Sequence, residues 1–311
     1  MKKLNSKGLL ILTGMLCFGM SALRAQSVRE TTRSELPAFS RIVLGGDFNM
    51  EIRYGKQYQA RLGVEELFAE YVRFRVEDST LTVFMDERRV PVEIKRLFRG
   101  KDSASPSFRL VVTMPETLRS LELTDRAVLL EADDLVVAST SALELRATDN
   151  ARIAGFAPGA SRIRIDLDKR AAADLHANCD SLRVRLAGNA SLTLEQHVIV
   201  SDIEISGGAE LVLTGEAQRM DVQAKGFSKS ILNGTATDVR YRLSGSTNVN
   251  AVNLETRIAR SEQNGLCTLT QSASGDLYVD LAAGSTLVYL NDPAIHVLGV
   301  KNATLIPYDR K

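Results

Sequence analysis

The first candidates for chemistry in this 311-residue chain are two carboxylates, Asp166 and Asp168. Glycoside hydrolysis runs on a pair of acidic side chains, and the alternation of Arg164-Ile165-Asp166-Leu167-Asp168 turns both of these outward. Arg164, Lys169 and Arg170 stand beside them, so a solvated, ion-paired surface is the expected role. His176 and His197 lie 21 residues apart, and two imidazoles could share a metal. No Asp, Glu or Cys completes a recognisable ligand spacing around them, so they are expected to be surface histidines; His296 stands alone. A nucleophile elbow, a P-loop and a dinucleotide-binding fingerprint are all missing from any strand-to-helix context. No catalytic, cofactor-binding or metal-binding residue is therefore assigned.

A longer pattern of charge runs through Arg183 and Arg185, Asp202 and Glu204, Asp221, and Arg240 and Arg242. Opposite charges on adjacent strands attract by roughly 0.2–1 kcal/mol per pair. The strip can hold strands in register or present a charged surface to a ligand.

These positions are set by an internal repeat, the signature of a stacked architecture. A small residue recurs at Ala127, Ala151, Ala171, Ala190, Ala209, Ser228, Thr247, Gly265, Ser285 and Ala303, with four consecutive intervals of 19 residues. Six residues earlier stand Leu121, Leu145, Ile165, Val184, Ile203, Val222, Tyr241, Ala259, Val279 and Val297, all hydrophobic. Four earlier and two later lie further columns, including Leu123, Leu167, Leu186, Ile205 and Leu281, and Leu129, Ile153, Leu192, Leu211, Cys267 and Leu287. Residues two apart share one face of a strand, so each repeat supplies two short strands with alternate positions inward. Gly188, Gly207, Gly226 and Gly245 fall two before the marker, where a sharp bend needs a permissive backbone. The predicted fold is all-β, a right-handed parallel β-helix of about ten coils of roughly 19 residues. Stacking closes a core that one coil cannot bury alone, and the crossover rule supplies the hand.

Cys179 and Cys267 lie between four and five coils apart, roughly 20 Å at strand spacing. A disulfide needs Cα atoms within about 7 Å, so free thiols are expected.

Upstream of the repeat, Phe48, Met50, Ile52 and Tyr54 alternate onto one face, Arg73 to Met85 alternates similarly, and Phe108 to Met114 makes a further strand. Residues 26–118 are expected to form first coils or a capping sheet, and residues 119–311 the regular solenoid, together one continuous domain. The charged stretch 86–107 is expected to loop outside the rod. At the start, Lys2, Lys3 and Lys7 precede an apolar run from Gly8 to Met20, then Ser21-Ala22-Leu23-Arg24-Ala25. That is the order of a secretory signal peptide at 1–25, too short in its apolar part for a spanning helix. Lys and Arg total 39 against 38 Asp and Glu. Loss of the leader removes Lys2, Lys3, Lys7 and Arg24 and no acid, so 35 remain against 38. A slightly acidic mature chain is not expected to bind nucleic acid, and no later stretch approaches membrane-spanning length.

Three segments carry a family resemblance: Phe39-Ser40-Arg41-Ile42-Val43-Leu44, Val112-Thr113-Met114-Pro115-Glu116-Thr117-Leu118 leading to Leu121-Glu122-Leu123, and Ile203-Glu204-Ile205-Ser206-Gly207-Gly208-Ala209. The chain resembles, over about 39–307, the family known as putative auto-transporter adhesin, head GIN domain. The resemblance implies an exported protein of the kind common in Bacteroidetes, a right-handed β-helix, and no catalytic residues to carry over. An autotransporter's own barrel is not expected between the repeat and Lys311. Expected function is a non-enzymatic, adhesin-like binding module, periplasmic, surface-exposed or secreted, presenting an extended face to a glycan or a surface protein without a cofactor. The alternatives are a polysaccharide-degrading enzyme on the same fold and a structural component of the envelope.

Overall fold

The computed structural model describes residues 28–97, 108–134 and 140–308. The signal peptide at 1–25 lies outside the described residues, as does the second half of the stretch 86–107. The fold is a parallel β-solenoid of about nine turns, each of about 19 residues.

The marker column is its spine. The backbone N–H after each marker donates to the carbonyl of the marker one coil earlier: Ser191 to Ala171, Glu210 to Ala190, Lys229 to Ala209, Asn248 to Ser228, Thr268 to Thr247, Thr286 to Cys267 and Thr304 to Ser285. That chain corrects the eighth coil. Cys267, not Gly265, occupies the marker position, and Gly265 stacks on Gly245 in the bend. The cause is a bulge: Ile231 faces Asn250 but Asn233 faces Asn253, so one extra residue enters that coil. The coil from Thr247 to Cys267 is thus 20 residues long, and its downstream columns lie two positions later than a count from Gly265 gives. Ser261 and Gln263 fill the columns of Tyr241 and Leu243, and Leu269 follows Val249. Ser261 and Gln263 are both buried, which makes this the most polar stretch of the core.

Each middle coil is a single strand bent around a three-sided core, in place of the two separate strands expected. Ser191–Ile205, Glu210–Gly226 and Lys229–Gly245 each traverse almost a whole coil. In the coil of Glu210–Gly226, Leu211 and Leu213 point inward on the first side, Ala217 on the short second side, and Met220, Val222 and Ala224 on the third. Between the second and third sides two outward residues follow one another, Gln218 and Arg219, and this breaks the alternation at a corner. The bend before the marker is left-handed: φ is +67° at Gly188, +74° at Gly207, +80° at Gly226 and +86° at Gly245. Asp125, Asp149 and Lys169 take the same conformation in the earlier coils, where Asp tolerates it best. The corner after the first side carries a second glycine stack, Gly215 and Gly234.

The N-terminal end is closed by a cap. Strands β1 (Val28–Arg33), β2 (Arg41–Leu44), β3 (Asn49–Tyr54), β4 (Gln59–Glu65), β5 (Val72–Glu77), β6 (Thr80–Met85), β7 (Phe108–Met114), β8 (Ser120–Leu123) and β9 (Val128–Ala132) build it. Strand β2 lies between β6 and β8, and β3 between β7 and β9, all parallel. The coil made of β2 and β3 is thus enclosed by two coils that follow it in the chain. Outside it, β5 runs antiparallel to β6, β4 antiparallel to β7, and β1 antiparallel to β4. Phe48, Met50 and Ile52 are buried as the alternation requires, whereas Tyr54 at the strand end is exposed. Residues 86–97 do not stand off from the rod. The Asp86 N–H donates to the Tyr71 carbonyl, Val90 enters the core, and Val92–Leu97 forms a short helix.

The second glycine stack gives a direct test. A Cβ on Gly234, whose φ is +114°, would lie 1.9 Å from the Gly215 carbonyl oxygen. A Cβ on Gly159 would meet nothing within 4 Å. Gly234→Ala is expected to lower stability by about 2–4 kcal/mol, and Gly159→Ala by no more than about 0.5 kcal/mol. Urea unfolding midpoints of the two variants check this.

Candidate functional site

The short second side of the coil forms a shallow trough along the rod. Its floor is the inward column Cys179, Val198, Ala217, Ala236 and Thr256, in register from coil to coil. These residues are mostly small, because the side holds only one inward position between two corners. One lip is Asn178, His197, Glu216, Thr235 and Glu255. The other includes Asp180, Ile199, Gln218, Thr237 and Arg257. Two clefts of about 850 and 820 Å³ lie in the trough and share Ala217 and Thr235, so they join end to end. Amide, hydroxyl, imidazole, carboxylate and guanidinium groups line them, with no Phe, Tyr or Trp.

Neither repeat columns nor charge pattern singled out this side. The signal was nonetheless present: Cys179, Val198, Ala217 and Ala236 each lie eight residues after a marker, and the bulge moves Thr256 to nine.

The charged strip lies on the third side, across a corner from the trough. Register sets Arg183 opposite Asp202 and Arg185 opposite Glu204, with Asp221 opposite Arg240. Most of these charges are used within the protein. Arg183 contacts Asp202 at 3.4 Å, Arg242 contacts Asp221 at 2.8 Å, and Arg240 contacts Glu262 at 2.5 Å. Arg185 and Glu204 make no ion pair among the described residues. Exposed pairs of this kind contribute little individually, so the strip favours one register without holding the rod together.

Asp166 and Asp168 do not form a working pair. Asp166 accepts from Arg164 Nε at 2.8 Å and lies 3.8 Å from Arg146. Asp168 lies beyond the strand, in the bend, where its Oδ1 accepts the Lys169 backbone N–H at 2.6 Å. The histidines are not neighbours either. His176 is in register with Glu195 and contacts it at 2.9 Å, while His197 lies beside Glu216 at 3.4 Å. His296 contacts Asp276 at 2.8 Å and stacks on Tyr278. Among the described residues no group of three or more His, Cys, Asp or Glu could hold a metal ion. No helix among them is long and apolar enough to cross a membrane.

The sequence pattern of the family described as "Putative auto-transporter adhesin, head GIN domain" matches residues 38–207 and again 195–293. No protein of curated function matches the chain. Solved structures similar to it include a "putative adhesin" from Parabacteroides distasonis, 14% identical, with 91% of this chain and 98% of that one covered and a TM-score of 0.48. A "putative adhesin" from Parabacteroides merdae is 12% identical, with 92% and 98% covered and a TM-score of 0.46. A "Putative lipid binding protein" from Parabacteroides distasonis is 13% identical, with 90% and 97% covered and a TM-score of 0.48.

Cys179 and Cys267 are free and buried. Cys179 lies in the trough floor, where burial pushes its thiol up to about 11. The thiolate is the nucleophile, so at pH 8 only about one molecule in a thousand presents it. Native protein is expected to take up iodoacetamide at Cys179 at least tenfold more slowly than denatured protein, with the rate rising steeply towards pH 10. Mass spectrometry of labelled peptides measures this.

Proposed function

The chain belongs to the putative auto-transporter adhesin, head GIN domain family, and from that membership we propose that it is an exported, non-enzymatic binding module whose second side holds an extended glycan. The observation that carries the reading is the trough itself. It is continuous across several coils, it repeats at about 4.8 Å per coil, and polar groups of modest size line it. A linear hydroxylated polymer lying along the rod meets a fresh amide, hydroxyl or carboxylate at each step. A protein partner would call for buried aromatic or arginine anchors at the centre of the contact. The trough has no Phe, Tyr or Trp and one arginine, Arg257, near its far end.

The carboxylates that suggested hydrolysis, Asp166 and Asp168, are committed to Arg146 and Arg164 and to a bend, so these two are not placed to act as an acid–base pair. This supports binding without turnover. Membership of the family and the leader-like residues 1–25 support export to the periplasm or the outer surface.

Titration of the mature protein against soluble neutral and acidic polysaccharides tests the site. Replacing His197, Glu216 and Thr235 together by Ala is expected to weaken binding at least tenfold, about 1.4 kcal/mol. Replacing Arg183 and Arg240 by Ala is expected to leave it within twofold. Loss of binding with the arginine pair alone would move the site to the third side, and release of new reducing ends would replace binding by hydrolysis. Protease treatment of intact and of permeabilised cells tests the compartment. Digestion confined to permeabilised cells indicates the periplasm, digestion of intact cells the outer surface, and protection in both would defeat the proposal of export.

A further inference from the structure

The two ends of the rod are unlike. At the N-terminal end β1 covers the last edge with six exposed residues that include Arg29, Glu30 and Arg33. At the other end the strands Ala294–Lys301 and Thr304–Pro307 pair, among the described residues, on one edge only, with Asp276–Ala282 and Thr286–Leu290. Ile295, Val297 and Val300 continue the inward columns of Leu277, Val279 and Leu281. Those three are 0–1% exposed, whereas Val297 is 60% and Val300 46% exposed. The core is therefore cut open in cross-section, beside a row of free backbone donors and acceptors.

We propose that this open end docks onto the same end of a second copy, with Ala294–Lys301 of the two chains pairing antiparallel about a two-fold axis. The sequence of that strand argues for a second copy. Centred on its own middle, the strand places Ile295 opposite Val300, Val297 opposite Leu298, His296 opposite Gly299 and Ala294 opposite Lys301. Apolar meets apolar and no like charges face each other, the requirement for a cross-strand pair. The faces agree as well, because of one irregularity. Register passes from Val279–Val297 to Asp280–Gly299, so Leu298 is an extra residue. In an unbroken strand Ile295 and Val300, five residues apart, would point to opposite faces. The irregularity at Leu298 turns both inward, so those inward columns of one rod meet those of the other. Head-to-tail stacking would instead set the same apolar columns against charged β1, which runs antiparallel to its neighbour. A contact that joins like ends closes after two copies, whereas one that joins unlike ends continues indefinitely.

Sedimentation of the mature chain from about 1 to about 100 µM tests the contact, in a range where a modest interface is read. The expected result is a reversible dimer with no larger species. Val297→Asp with Val300→Asp is expected to give a monomer at every concentration with an unchanged thermal midpoint, since both residues are already exposed. Under mild oxidation Ala294→Cys with Lys301→Cys is expected to yield a covalent dimer, and Ala294→Cys alone not to. A wild-type chain that stays monomeric throughout and gives no cross-link would overturn the proposal, as would growth beyond the dimer, or a dimer untouched by the Asp pair.

Discussion

The closeness with which successive bends lie on one another governs the rest of this molecule. A Cβ placed on Gly207 would come within 2.6 Å of the Gly188 carbonyl oxygen, and one on Gly226 within 2.9 Å of that of Gly207. Glycine permits both the left-handed turn and this approach without strain. That approach sets the coil spacing, brings the marker backbones into a hydrogen-bonded ladder and fixes which positions face the core. Small marker residues follow for the same reason, since they lie just inside the bend. Where Lys169 replaces glycine in the bend, its side chain is carried outward to Asp149 at 2.5 Å.

Much of this could be read from the chain because the constraint acts once per coil and writes itself into columns. Gly188 to Gly245 were legible as a bend, and the hydrophobic positions from Leu121 to Val222 as an interior. The eighth coil was not. One additional residue near Val252 leaves the preceding and following coils in step while shifting the one between, and a stretch with Ser261 and Gln263 inside offers no strong hydrophobic alternation to expose the slip. The cap was legible as strands but not as a topology, because nothing in local alternation says which strand lies beside which.

The trough escaped notice for a different reason. Sequence draws attention to charge, histidine and paired carboxylates, and in this rod those groups mostly face each other across the third side. Their chemistry is spent on register. The second side is marked by smallness: one inward position per coil, filled by Cys179, Val198, Ala217, Ala236 or Thr256. Concavity made from small residues has no motif. It becomes visible when the corners that bound it are placed in space.

The coil of β2 and β3 has a consequence for how the chain is assembled and how it yields to force. That coil emerges first in the chain yet lies second in the stack, held between strands as distant as Thr80–Met85 on one side and Ser120–Leu123 on the other. It cannot be completed until about ninety residues are available, from Arg41 to Ala132. Tension applied at the C-terminal end can unwind the rod coil by coil in reverse, but tension at the N terminus meets a layer clamped on both faces, behind β1 and β4. The rod therefore has a strong end and a weak end.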